Sequence, residues 1–146
     1  MQVRAATHDD IDRIAALFAQ LGYPNDTAQL ATRLAQAQAD DGMRALVAEQ
    51  DGTVIGVAVV HVMAPLHVPE RWALLSALVV GDAHRSGGTG AALLQAAEAF
   101  AREHGCAQLE LSSNAARTRA HRFYERHGYR EKRLRFVKML MSKTCE

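Results

Sequence analysis

Arg85, Gly87, Gly88, Thr89 and Gly90 fall in one short run whose residue types and spacing suit the holding of phosphate. An apolar run, Leu74 to Val80, ends just before them. A helical pattern starts just after, with Leu93, Leu94, Ala97, Phe100 and Ala101 on one face. Strand, glycines and helix in that order leave several backbone N–H groups unpaired at a helix N-terminus. There the donors and the helix dipole together attract an anion. Glycines let the backbone close in on it, and Arg85 adds a fixed positive charge at the lip. A second candidate is Tyr124, which shares a helix side with Ala120, Phe123 and His127. Its phenol, with a pKa of ~10, is a protonated donor at neutral pH; as a core aromatic it would only pack.

The grammar of the glycine run narrows the ligand. A P-loop needs Lys and then Ser/Thr after its last glycine, whereas Ala91 and Ala92 follow Gly90. A dinucleotide fingerprint needs a third glycine where Leu93 stands, and an acidic residue on a second strand. The residues match Arg-x-x-Gly-x-Gly at Arg85, Gly88 and Gly90, with Ser86, Gly87 and Thr89 between them. A glycine-rich turn without a ligand is the plain alternative.

The surrounding chain supplies elements to position these groups. Gln2 to Ala6 reads as a strand, and Thr7 with Asp10 as a capping box. Ile11 to Leu21 reads as a helix closed by Gly22, and a second helix starts at Asp26 or Thr27 and carries Leu30 and Leu34. After the turn Asp40-Asp41-Gly42, strands over Met43 to Glu49 and Thr53 to Val62 meet at Asp51-Gly52, a strong hairpin signal. The continuous run Val54 to Val60 predicts a strand covered on both faces, and Gly56 within it a bulge or a close contact. A loop with Pro65 and Pro69 leads into Leu74 to Val80. The helix from Gly88 to His104 ends at Gly105, and Cys106 to Leu111 is a strand. Ser112 to Ala116 is a loop, Arg117 to His127 a helix closed by Gly128, and Tyr129 to Leu140 alternates as one long strand or a tight pair.

The 146 residues suit one domain, 1–146, with a real core. Hydrophobic content of 49% and charged content of 23% are those of a soluble globular protein. No apolar run reaches the ~20 residues of a membrane span, and the N-terminus lacks a signal peptide's apolar segment. Cys106 and Cys145 read as free thiols of a cytoplasmic protein, Cys106 buried. A net charge of +1 gives no argument for nucleic acid, and no metal-ligand cluster stands out.

Two motifs then carry a resemblance. Arg-x-x-Gly-x-Gly at Arg85 to Gly90, between strand and helix, resembles the acyl-CoA pyrophosphate loop of the GCN5-related N-acetyltransferase (GNAT) family. Ala-x-x-Phe-Tyr-Glu-x-x-Gly-Tyr at Ala120 to Tyr129 resembles a later block of the same family, at the expected distance. With the Asp-Gly hairpin upstream, the likeness covers nearly the whole chain. It implies an α+β fold: a twisted, mostly antiparallel sheet of about six to seven strands flanked by about four helices. It also implies acetyl-CoA as co-substrate and a primary amine of a small molecule or peptide as acceptor, with direct attack on the thioester.

Residue by residue, the resemblance gives Leu78, Val79 and Val80 to the pantetheine arm and Arg85 through Ala91 to the pyrophosphate. A backbone N–H in a bulged central strand, near Leu78 or Val79, would stabilise the oxyanion. Tyr124 would be the catalytic acid toward the leaving thiolate. Leu21 to Asn25 would border the acceptor, with an ordinary helix stop as the alternative, and the C-terminal strand around Leu134 to Leu140 would pair or pack across a two-fold in a homodimer. Three departures stand out. Ser76 occupies the position where the family often has a glutamate base, leaving His61, His67, Glu70 or water. Arg117 replaces an asparagine seven residues before the tyrosine, and is open between a CoA phosphate contact and a helix cap. Gly87-Gly88 lacks the usual basic partner. An acyl group longer than acetyl stays open, and a catalytically silent acyl-CoA-binding regulatory module is the alternative function.

Overall fold

Thr7 and Asp10 set the start of the first helix. The Thr7 backbone N–H donates to the Asp10 carboxylate at 2.8 Å, as their three-residue spacing predicts. Helix α1 follows over Ile11–Leu21, burying Ile11, Ile14 and Leu17 before Gly22 closes it. Helix α2, Thr27–Gln38, buries Leu30, Leu34 and Ala37 on a thin apolar stripe. The computed structural model describes residues 1–85, 87–112, 118–132 and 135–141. They fall in two compact units, Met1–Ser112 and Ser113–Glu146.

The first unit is built on a five-stranded sheet in the order β1 (Gln2–Ala5), β2 (Met43–Gln50), β3 (Thr53–Met63), β4 (Arg71–Val80) and β5 (Cys106–Leu111). The first three junctions are antiparallel and β4–β5 is parallel. A parallel neighbour needs a crossover, and helix α3, Thr89–Glu103, supplies it. The β2–β3 hairpin turns at Asp51-Gly52, with Gln50 opposite Thr53. The mixed α+β class and the four helices agree with expectation. The described strands number five rather than six or seven.

Side-chain alternation assigns the two faces of the sheet. Val57 joins Ile14, Leu17, Leu30 and Leu34 in one core cluster, so α1 and α2 cover its face. A Cβ on the preceding Gly56 would lie 2.9 Å from Leu93 Cδ1 and 3.2 Å from Thr89 Cγ2, so α3 covers the other. Cover on both faces is why Val54 to Val60 reads as an unbroken apolar run. Gly56 meets both expectations: Ala48 faces Gly56 while Glu49 faces Val54, which leaves Ile55 as a bulge beside it, and the missing side chain lets the first turn of α3 settle against β3.

One ion pair ties β1 to the start of α1. Arg4 donates to both Asp10 oxygens, at 2.9 and 3.0 Å, and to Glu49 at 2.7 Å. The Asp10 side chain is only 7% exposed. The Arg4 guanidinium, and then the Thr7 N–H, hold its carboxyl below the ordinary value of 3.8 against the cost of burial. Removing Arg4 strands that charge. We expect Arg4→Ala to cost about 3 kcal/mol, the low end of the range for breaking a buried pair, because Arg4 keeps some solvent. Because the folded carboxyl titrates low, the pair's contribution is complete above pH 3.8 and fades as pH falls below it. Urea melts of the two proteins at pH 7 and in acid check both points.

Cys106 is half-buried and unbonded rather than fully buried, and burial pushes its thiol up. Among the described residues no helix is long and apolar enough to cross a membrane.

The second unit contains helix α4, Thr118–Arg126. Its end is closed by backbone bonds from His127 and Tyr129 to Tyr124 O and from Gly128 to Glu125 O. The expected strand over Tyr129 to Leu140 is corrected here: residues 129–132 and 135–141 form no strand, and residues 133 and 134 lie outside the described set. Phe136, Val137, Met139 and Leu140 are 60–97% exposed. Alternation makes a strand only where a partner sheet pairs its backbone and buries its apolar side.

Candidate active site

The candidate site runs along the second half of β4 into the start of α3. β5 pairs with β4 from Arg71 to Leu75, where Leu75 faces Leu111, and β5 ends there. Beyond Leu75, β4 is paired only with β3 among the described residues. The Gly81 N–H donates to Ile55 O at 2.8 Å. Antiparallel ladders alternate, so Val79, opposite Val57, also directs its backbone groups toward β3. Leu78 and Val80 direct theirs toward the edge that β5 has left. Val80 O accepts from Gln20 Nε2 at 2.9 Å across that edge, which fits this alternation.

The same strand carries a bulge. Val59 faces Ala77 and Val60 faces Leu75, so Ser76 is the extra residue between them. Ser76 is exposed, and its Oγ lies 2.7 Å from His61 Nε2 and 3.5 Å from Val59 O. His61 is half-buried on β3. His67 and Glu70 are exposed in the β3–β4 connection.

After β4, Gly81 opens a short helical turn, Asp82–His84, in which the His84 N–H donates to Gly81 O at 2.9 Å. Gln20 on α1 fastens this turn, since its Oε1 accepts from the Asp82 N–H at 3.2 Å. Arg85 pairs with Asp82 at 2.8 Å, both partners well exposed. Gly88 then takes φ +83°, a left-handed value that only glycine adopts without strain. It is the N-cap of α3; its C=O accepts from the Ala92 N–H at 3.0 Å. The N–H groups of Thr89, Gly90 and Ala91 precede that first helical bond and have no intrahelical acceptor. They are offered at the positive end of a 15-residue helix.

Leu78 and Val80 thus face the edge that β5 leaves, whereas Val79, expected to offer its backbone there, is turned toward β3; Arg85 precedes the start of α3, where Gly87, Gly88, Thr89, Gly90 and Ala91 lie. Ser86 and Arg117 lie outside the described residues. Tyr124 is half-buried on α4, edge-on to Phe123 at 5.2 Å and to Tyr129 at 6.0 Å. Sequence reasoning missed Gln20, which sits on the polar side of α1 and gives no local signal of its contacts.

The model of the acetyltransferase (GNAT) family matches residues 9–129. The chain belongs to the GNAT family. An aminoalkylphosphonate N-acetyltransferase from Salmonella typhimurium is 35% identical over 141 residues, covering 95% of this chain and 91% of that protein. Among solved structures, a transcriptional regulator from Bacillus halodurans superposes with a TM-score of 0.85 at 22% identity, over 96% of this chain and 99% of that one. A GNAT family acetyltransferase from Staphylococcus aureus does so with a TM-score of 0.78 at 23% identity, over 95% and 98%. These structures share the GNAT fold with this chain.

Proposed function

We propose that this GNAT protein, acting as a single acetyltransferase domain, moves the acetyl group of acetyl-CoA onto the primary amine of a small aminoalkylphosphonate. The observation that carries this reading is the edge of β4 released by β5 after Leu75, leading into the left-handed Gly88 and the N-terminus of α3. The edge offers Leu78 and Val80 to an extended amide-bearing arm. The helix start, with Arg85, offers donors to a pyrophosphate. The acceptor class comes from the 35% identical relative.

In this reading the Leu78 N–H donates to the carbonyl oxygen as it gains negative charge under attack by the neutral amine. As the C–S bond breaks, the Tyr124 hydroxyl gives its proton to the departing thiolate and recovers one from the acylated nitrogen. The exposed apolar residues Phe136, Val137, Met139 and Leu140 support a homodimer. Light scattering should then return a dimer mass at micromolar concentration, and a monomer mass would remove the dimer.

Release of CoA thiol tests the function. An aminoalkylphosphonate should be acetylated faster than the matching amino carboxylate or a peptide amine; preference for the peptide would overturn the acceptor class. Ser76, where the family resemblance leads one to expect a glutamate base, favours the silent acyl-CoA-binding module as the second reading. That module would bind acetyl-CoA and release no thiol with any amine.

A further inference from the structure

Resting on the acetyltransferase reading, we propose that Ser76 and His61 form a proton relay in which Ser76 Oγ meets the acceptor ammonium and His61 Nε2 receives the proton. The two atoms are 2.7 Å apart, a strong hydrogen-bond distance, although they come from different strands. The bulge makes the contact. Ser76 is the unpaired residue between Leu75 and Ala77, so its hydroxyl swings out toward His61 on β3, just where β5 ends. His61 lies an even number of residues from Val57, on the sheet face that α1 and α2 cover.

The spacing suits the chemistry. Ser76 and Leu78 are two residues apart, about 6.6 Å along a strand. That distance accommodates a carbonyl held at the Leu78 N–H and an amine attacking it from the Ser76 side. His67 and Glu70 are exposed in the preceding connection and have no comparable partner on β4 among the described contacts.

The surroundings favour a neutral imidazole. Burial pushes His61 below its ordinary value of 6.5, and the Asp40 carboxylate after α2 offsets this only in part. Its cross-strand neighbours, Met43 on β2 and Leu74 on β4, carry no charge. Arg44 on β2 points to the opposite face, 4.7 Å over the Phe100 ring. At neutral pH the ring can therefore accept a proton.

The proton balance is simple. The ammonium gives a proton to Ser76 Oγ as the Ser76 hydroxyl proton passes to His61 Nε2. This leaves a neutral amine, an intact serine and an imidazolium. The amine attacks, its second proton ends on the CoA thiol, and His61 returns its proton to solvent. One proton is released per acetyl transferred, and Ser76 forms no bond to carbon.

The test is the pH profile of kcat/KM for wild type, His61→Gln, Ser76→Ala and Ser76→Thr, with acetyl-CoA affinity measured for each. Wild type should show an acidic limb with an apparent pKa below 6.5. In His61→Gln we expect that limb to be lost, kcat/KM at pH 7 to fall about 100-fold, and the rate to climb with pH as the amine deprotonates itself. Ser76→Ala, at an exposed position that threatens the fold little, should lose about tenfold. Ser76→Thr, which keeps the hydroxyl, should recover most of it, and acetyl-CoA affinity should hold throughout. Wild-type turnover with the same profile in both loss variants overturns the relay alone. An acetyl-Ser76 adduct formed from acetyl-CoA overturns it in favour of a nucleophilic serine. Absence of turnover in wild type overturns the acetyltransferase reading and the relay with it.

Discussion

Tyr124→Phe should lower kcat by roughly ten- to a thousandfold, about 1.4–4 kcal/mol of transition-state stabilisation. The CoA thiolate leaves readily on its own, which keeps the effect of a general acid moderate. The substitution removes one hydroxyl and leaves the ring, so the edge-on contacts with Phe123 and Tyr129 remain. Melting temperature and acetyl-CoA affinity should therefore change little while turnover falls. Steady-state kinetics on the purified pair decide it. Wild-type turnover in the variant would reduce Tyr124 to a packing aromatic.

Gly88→Val should weaken acetyl-CoA binding about 100-fold, roughly 2.8 kcal/mol. Among the described residues, no heavy atom beyond Gly88's own chain neighbours lies within 4 Å of a Cβ built there, so the cost is not a clash with them. It comes from φ +83°, which a β-branched residue avoids, and the strain is about 1–3 kcal/mol. Relieving it turns the first peptide groups of α3 away from the direction in which their N–H groups converge. The variant should melt somewhat lower and gain far less from ligand. Saturation at ~100 times Kd raises wild-type stability by ~2.7 kcal/mol. Differential scanning with and without acetyl-CoA reads both numbers. An equal ligand-induced shift in the two proteins would show that Gly88 does not shape the anion site.

Much of this was legible in the chain because the signals are local. The Asp51-Gly52 turn, the apolar spacing of α1 and α3, and the strand–glycine–helix order each act over a few residues, and each is found where the pattern put it. Gly56 was readable as a bulge or a close contact, and it is both, beside the extra residue Ile55 and against Leu93 and Thr89. The resemblance implied a bulge in this strand near Leu78 or Val79; that it falls at Ser76 was not legible, since it depends on how Val59 and Val60 register against Leu75 and Ala77. The Ser76–His61 contact follows from that register and was invisible for the same reason. Gln20 reaches residues sixty positions away. The alternation from Tyr129 to Leu140 misled because a period of two states a preference that only a neighbouring strand can realise.

The central claim is that acetyl-CoA is the ligand of the β4 edge and the α3 N-terminus. Titration calorimetry of the wild-type protein tests it most directly. One acetyl-CoA should bind per chain, with ATP and NAD giving far weaker heats at the same concentration. Titrations in which acetyl-CoA binds no better than those nucleotides would contradict it.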